Sequence, residues 1–158
     1  MKKEIKPDDD WQRVWLAAEE KAWTSLVLVP NDASVDAQTF AESLARTGRV
    51  HAETPVRVVN GTGVQLADVQ QLIETIAAVS ERGERVIVSV DPLSDNAAGI
   101  AILRATSAAL LLVSLGESLM TSARATIDAI GRDRLIGSVV VKSNKPSTAA
   151  AGERLTLK

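Results

Sequence analysis

The stretch "LVLVPNDASVDAQTFAESLA", residues 26–45, decides the fold. It begins as an apolar strand, continues through a polar turn and ends with helical spacing, in which Phe40 and Leu44 lie four positions apart. The same layout lets phosphate-binding loops surround a phosphate with backbone amides, but such loops need glycines and a lysine. Both are absent here. The stretch is therefore either a phosphate loop that has lost its chemistry or an ordinary strand-to-helix connection.

Length and composition restrict the possible classes. The 158 residues suffice for one domain with a real core and are too few for two. A net charge of −2, with acids and bases mixed along the chain, argues against a nucleic-acid partner. The absence of cysteine excludes disulfides and thiolate metal sites. Without a signal-like start or a long apolar run, the chain is expected to be soluble and cytoplasmic, with no direct membrane insertion.

Five short apolar runs alternate with stretches of helical spacing. The runs lack polar alternation, which is typical of parallel strands covered on both faces. They predict a three-layer α/β fold, Rossmann-like, with a parallel sheet of about five strands. The predicted strands are 25–29, 56–59, 85–90, 108–115 and 136–141.

Helix boundaries are predicted from capping residues and glycines. A first helix inside the α/β repeat follows Ser34 as N-cap and ends near Gly48, and an additional helix precedes the first strand. The other predicted positions are Gln65–Arg82, a helix starting around Ser94 and Asp95, and one ending ahead of Gly131. These boundaries divide the chain into an N-terminal helical segment (1–24), an α/β domain (25–142) and a flexible tail (143–158).

A family resemblance is visible in the second half of the chain. The pieces "VIVSVDP", "LSDNAAG", "ALLLVSLGES", "SARATIDAIG" and "LIGSVVVKSN" follow one another between residues 86 and 144. In pattern and order they resemble the cytoplasmic domain of bacterial tyrosine autokinases and their relatives in exopolysaccharide synthesis, a branch of the partition-type ATPases. The resemblance implies a P-loop NTPase-like strand order, with the strands from 25 and 85 adjacent at the centre of the sheet.

The chain departs from that family at the nucleotide site. Aligned by its final threonine, the pattern G-x-x-x-x-G-K-[ST] falls on Asp32, Ala37, Gln38 and Thr39. Gln38 has no charge to replace the lysine, and Asp32 places a carboxylate where a triphosphate would bind. The family's magnesium-holding aspartate corresponds to Ser89. These losses together predict a degenerate ATPase without a bound cofactor or metal.

Two further positions allow a functional and a plain interpretation. Asp91 could act as a displaced metal-binding acid, but an Asp-Pro pair is also a normal strand-ending turn, which we favour. Gly61, Thr62 and Gly63 could admit an anion to a helix N-terminus, but a tight turn between a strand and a helix also needs glycines, and we favour the turn. His51, the only histidine, is predicted to be a surface residue.

All three tryptophans lie between residues 11 and 23. Trp11 and Trp15, four positions apart on the preceding helix, could cover the domain's own sheet or form a partner surface. In the resembled family a helix at this position packs against the neighbouring subunit, although only Arg13 matches the family's pattern there. We lean toward the interface.

Two hypotheses about function follow. The chain has no tyrosine, so it cannot be a tyrosine autokinase that modifies its own tail. The first hypothesis is a non-catalytic regulator or scaffold of exopolysaccharide synthesis and export. It would act through protein partners. It could also form a homo-oligomer, and a partner could hold it at the periphery of the inner membrane. The second is a nucleotide-binding or hydrolysing enzyme with an altered site at Thr39, Ser89 and Asp91.

Overall fold

The structure, a computed structural model, describes residues 6–115, 120–142 and 155–157. Five helices and six strands alternate along these residues, with one short 3₁₀ turn (Leu66–Asp68) ahead of the third helix. The helices are α1 (Lys6–Glu19), α2 (Ala37–His51), α3 (Val69–Glu81), α4 (Ala98–Ala105) and α5 (Met120–Ile130). The strands are β1 (Ser25–Pro30), β2 (Val56–Asn60), β3 (Arg85–Ser89), β4 (Ala108–Leu115), β5 (Leu135–Lys142) and β6 (Leu155–Leu157).

The first five strands form the parallel sheet that the alternating pattern predicted, and their order is β2-β3-β1-β4-β5. Strand β1 lies at the centre, where Leu26 is paired with Ile87 of β3 on one side and with Ala108 of β4 on the other. The predicted neighbourhood of the strands from 25 and 85 is therefore confirmed. The sheet is the core of a three-layer, P-loop NTPase-like α/β domain.

The sixth strand differs from the predicted flexible tail. Residues 155–157 pair with β5 in the antiparallel direction, with Leu157 opposite Val139 and Leu155 opposite Val141. A three-residue strand is too short to produce a recognisable alternation, and its partner lies well before it in the chain. Residues 143–154 of the predicted tail lie outside the described part of the chain.

The strand order determines which face each helix covers. Crossovers between parallel strands are right-handed. The connection from β1 to β2 runs in one direction along the sheet, and the three later connections run in the other. Their helices therefore lie on opposite faces of the sheet. The two buried clusters agree with this rule. One joins the sheet to α2, around Leu28, Phe40 and Leu44, and the other joins it to α3, α4 and α5, around Val88, Ile76 and Ile102. Without a further helix, the side of the sheet on which α2 lies would remain uncovered over β4 and β5.

Helix α1 covers this remaining area. Trp15 is 0% exposed and packs edge-to-face on Trp23, with ring centroids 5.8 Å apart. The guanidinium of Arg85 lies 3.8 Å from the Trp23 ring centroid and donates to Glu19 at 2.7 Å, which connects the end of α1 to β3. Trp15 therefore belongs to the core of this chain. We expected Trp15 to form an interface, but it packs within its own domain.

The sequence predicted that helix α2 ends near Gly48, but the helix does not end at this residue. The helix continues to His51, and the amide of Ala52 donates to the Gly48 carbonyl at 2.7 Å. A Cβ atom added at Gly48 would lie 2.6 Å from two carbons of the Trp15 ring. The glycine is therefore needed for the close approach of α1 and α2.

Among the described residues, no helix combines the length and the apolar character that crossing a membrane requires.

Candidate functional site

The candidate site lies at the carboxyl edge of the sheet, where open α/β folds bind ligands. The loops that follow β1, β2 and β3 meet there and occupy residues 31–36, 61–65 and 90–97. Every residue of the predicted nucleotide and anion sites belongs to one of these loops, to the end of β3 or to the first turn of α2. The loop after β4, residues 116–119, lies outside the described part of the chain.

The N-terminus of α2 is capped by the chain's own carboxylate. Asp36, and not Ser34 as predicted, is the N-cap residue, and its side chain accepts from the Thr39 amide at 3.2 Å and from the Thr39 hydroxyl at 2.8 Å. Ser34 instead donates through its amide to Asp32 at 2.8 Å and through its hydroxyl to the same oxygen. Serine and aspartate are equally good caps, so only the actual helix start could distinguish them.

This cap places a carboxylate at the helix N-terminus, the kind of position at which phosphate loops bind a phosphate. The free amides and the dipole of a helix N-terminus attract an anion, and here the Asp36 carboxylate supplies a negative charge and accepts from one of these amides, that of Thr39. The Thr39 hydroxyl, which could reach a magnesium ion in a working phosphate loop, donates to the same carboxylate. The helix start therefore has an internal anion in place of an external one.

Gln38 and Ser89 lie in direct contact. The Ser89 hydroxyl is fully buried at the end of β3 and donates to Oε1 of Gln38 at 2.5 Å, with Oδ1 of Asn60 at 3.3 Å. Gln38 also donates through Nε2 to Glu42 at 2.9 Å. The resembled family has a lysine and an aspartate at the two aligned positions, whereas this chain has a neutral hydrogen-bonded pair there.

Asn60 is a member of the site that the sequence interpretation missed. Its Oδ1 accepts from the Thr62 amide at 2.9 Å and from the Thr62 hydroxyl at 2.6 Å, which closes the turn after β2. The signal was present in the sequence "NGTG", because asparagine commonly accepts from the backbone two residues on. Its proximity to Ser89 depends on β2 and β3 being neighbours and could not be seen locally.

Asp91 lies with the glycine turn. Its Oδ2 accepts from the Gly63 amide at 2.7 Å and from Nδ2 of Asn96 at 3.1 Å. The predicted anion site, Gly61, Thr62 and Gly63, thus contacts a carboxylate of the same chain. A Cβ at Gly61 would lie 2.6 Å from the Ser89 carbonyl oxygen, and Gly63 has a φ of 75°, so both glycines serve the tight turn.

The three residues of the alternative enzyme site have separate partners. Thr39 is bonded to Asp36, Ser89 to Gln38, and Asp91 to the Gly63 turn. Within the described ranges no group of three or more histidine, cysteine or acidic residues is placed to hold a metal ion. Asn60 connects Ser89 to the glycine turn that Asp91 contacts, whereas Thr39 belongs to the helix cap.

Charge at this edge disfavours an anionic ligand. Residues 31–36, 60–68 and 90–97 contain no lysine or arginine, and their acids are Asp32, Asp36, Asp68, Asp91 and Asp95. At the opposite edge, the guanidinium of Arg57 donates to Glu84 at 2.6 Å and, more than any other group, holds the pKa of that partly buried carboxyl below its ordinary value of 4.5. A triphosphate approaching the carboxyl edge would meet negative charge without a compensating cation in the described loops.

Removing the Asp36 cap should destabilise the domain. We expect Asp36→Ala to lower the free energy of unfolding by about 1 kcal/mol, since the Thr39 amide and hydroxyl both lose their acceptor. Asp36→Asn is the matched control, because asparagine caps helices as well as aspartate does. Urea denaturation of both variants provides the measurement, and equal stability of the alanine variant and the parent would contradict the capping role.

Comparisons with known proteins agree with the fold. The class that the strand order and the edge loops define is a P-loop NTPase-like α/β domain. A solved structure with this architecture is "Crystal structure of the chimerical protein CapA2B2", which superposes with a TM-score of 0.69 over 89% of this chain and 86% of that chain, at 12% sequence identity. No family model matches the chain, and no curated protein matches it significantly. The likeness at this identity shows the fold.

Proposed function

We propose that this chain is a non-catalytic relative of the exopolysaccharide-synthesis ATPases, a pseudo-ATPase that acts through protein contacts. The observation that carries the proposal is the Asp36 cap on α2, which places a carboxylate at the helix N-terminus and engages the hydroxyl of Thr39. The neutral pair Gln38–Ser89 supports it from the other side of the site.

Energetics favour loss of binding over compensation. A hydrogen bond from a charged donor contributes roughly 1.5–3 kcal/mol, against about 1 kcal/mol for a neutral one, so Gln38 recovers only part of what a lysine would supply. An incoming phosphate would also have to displace the Asp36 carboxylate from the Thr39 amide and remain beside it. Asp32, Gln38 and Ser89 all differ from the residues of the resembled family, so several favourable contacts to a nucleotide are missing from one small site. Asp32 and Asp36 each add a negative charge that disfavours the nucleotide.

The assignment to polysaccharide synthesis and export rests on the resemblance between residues 86 and 144. The P-loop NTPase-like fold and the structural likeness to CapA2B2 support this resemblance without identifying a partner. In this proposal the chain regulates or scaffolds a polysaccharide synthesis system at the cytoplasmic side of the inner membrane. It binds protein partners and neither nucleic acid nor a cofactor.

The surface of α1 is a suitable contact region. Trp15 holds the helix to the core, while Trp11 is half-buried beside Phe40, with ring centroids 4.8 Å apart. Leu16 on α1 is 58% exposed, and Val50 on the neighbouring α2 is 79% exposed. An anchored helix that presents part of an indole and a leucine supplies large apolar groups of the kind that partners bury. We propose this face, with Trp11, as an interface.

The expected result of a nucleotide titration is no binding. Calorimetry with ATP and Mg²⁺ should show no heat of association for the parent chain, and Gln38→Lys should not restore affinity because Asp36 still caps α2. The double variant Gln38→Lys with Asp36→Gly removes two of the obstacles, leaves Asp32 and Ser89 in place, and is the informative comparison. Thermal denaturation of each variant confirms that it is folded before the titration.

A different outcome would support the alternative function. Micromolar affinity of the parent chain for ATP, or a turnover abolished by Thr39→Ala or Asp91→Ala, would mean that the altered site at Thr39, Ser89 and Asp91 works as an enzyme or nucleotide sensor. The separate hydrogen-bond partners of these three residues in the structure do not favour that outcome.

A further inference from the structure

The β5 edge of the sheet is covered by a very short strand. Strand β5 has eight residues, and β6 pairs with only three of them, Val139, Val140 and Val141. These three valines are buried. Among the described residues, the edge positions Leu135–Ser138 have no strand partner on the β6 side. The described strands therefore cover only part of this edge, and an uncovered edge is a template for main-chain pairing.

The connection to β6 does not impose pairing within one chain. Twelve residues, 143–154, separate β5 from β6, whereas hairpin loops have about 2–5 residues and fix the register by the geometry of the turn. Twelve residues span at most about 40 Å when extended, which is comparable to the diameter of a domain of this size. The same strand can therefore reach the β5 edge of a neighbouring molecule.

We propose that β6 is an exchangeable edge strand, and that the β5 edge of one copy of this chain accepts residues 155–157 of a second copy. Every main-chain pair of the closed form is reproduced in the exchanged form, because the acceptor edge is identical in both. Helix α1 also contacts β6, so a donated strand contacts α1 of the acceptor as well. The site thus links two copies through the edge of the sheet.

This inference gives a specific partner to the protein-contact role proposed above and rests on that role. It does not depend on the nucleotide site, so its failure would leave the pseudo-ATPase proposal standing. Conversely, a chain that binds ATP could still exchange β6. The two proposals are therefore tested separately.

A disulfide trap tests the exchange, since the parent chain has no cysteine and gives no background. Val140 and Thr156 are direct partners across the β5–β6 pair, and opposed Cβ atoms in such pairs lie about 4.5–5.5 Å apart. The two single variants Val140→Cys and Thr156→Cys, distinguished by tags of different mass, are mixed and oxidised slowly. Rapid formation of disulfides between them, above the rate of random collision, requires that one copy's β6 reaches the other copy's β5.

Three controls define the outcome. Glu74→Cys, on the exposed face of α3, replaces Val140→Cys in the control mixture and measures random collision. The double variant Val140→Cys with Thr156→Cys tests the pairing within one chain. Thermal denaturation of each reduced variant checks that it is folded.

We expect the mixed disulfide to form at least about tenfold faster than in the control mixture. Its yield should rise as the protein concentration approaches the millimolar effective concentration of a tethered segment. The double variant should give mainly monomeric disulfide when dilute and more dimer when concentrated. A mixed disulfide no faster than the Glu74→Cys control would overturn the exchange. Failure of the double variant to form any internal disulfide would overturn the pairing on which the proposal depends.

Discussion

The Trp15→Ala variant should unfold about 3–5 kcal/mol more easily than the parent chain, the largest effect we expect from one substitution. Trp15 is completely buried between α2 and the sheet, and it contacts both the Trp23 ring and the Arg85 guanidinium. Its removal leaves a cavity that the surrounding helices cannot fill without moving. A loss of this size is a large share of the total free energy of unfolding of a single domain, so part of the variant population should be unfolded at 37 °C.

Two comparisons make this prediction specific. Trp15→Phe retains much of the aromatic ring and removes an indole N–H that has no hydrogen-bond partner among the described residues, so it should cost far less than alanine. Leu16→Ala changes the adjacent, exposed residue and should alter stability by no more than about 0.5 kcal/mol. Chemical denaturation gives all three values, and sedimentation tests association. Unchanged stability of Trp15→Ala together with weakened association would restore the interface interpretation of this residue.

The Gly48→Ala variant is expected to be the second most damaging change. The added methyl group would lie 2.6 Å from two atoms of the buried Trp15 ring, so the two helices must separate or the ring must move. Overpacking of this kind costs about 1–3 kcal/mol, whereas replacing glycine by alanine inside a helix gains about 1 kcal/mol. We therefore expect a net loss of up to about 2 kcal/mol, measured by denaturant unfolding.

A double-mutant cycle separates the two contributions. In the Trp15→Ala background the clash partner is absent, so Gly48→Ala should become neutral or stabilising through its helix propensity. Arg46→Ala, at an exposed position of the same helix, is the control for general effects on α2. A Gly48→Ala variant that is more stable than the parent would show that α1 does not approach α2 as closely as the structure has it.

The sequence predicted the fold because its signals are local. Each of the five main strands is an apolar run without polar alternation, and each helix repeats apolar residues at helical spacing, so the burial of both faces of the sheet can be inferred from neighbouring residues alone. The absence of a lysine at Gln38 and of an aspartate at Ser89 is equally a property of single positions. These observations were enough to predict a P-loop NTPase-like domain and to question its nucleotide chemistry.

The contacts that define the site depended on long-range packing. Gln38 bonds to Ser89 across 51 positions of sequence, and Asp91 bonds to Gly63 across 28, because α2 and the strands β2 and β3 bring their ends to one edge. No local pattern ranks Asp36 above Ser34 as a cap, or assigns Asp91 to the glycine turn.

Only the tertiary structure decided the roles of Trp15, Gly48 and residues 155–157. The right-handed crossovers leave part of one sheet face without a helix, and α1 fills it with an indole that requires a glycine opposite. Residues 155–157 become a strand because the outer edge of β5 is available to them. The sequence by itself determined which segments are strands and helices, since hydrophobic periodicity acts between near neighbours. The packing of those segments determined these contacts, since they join residues that meet only when the whole sheet and its helices have assembled.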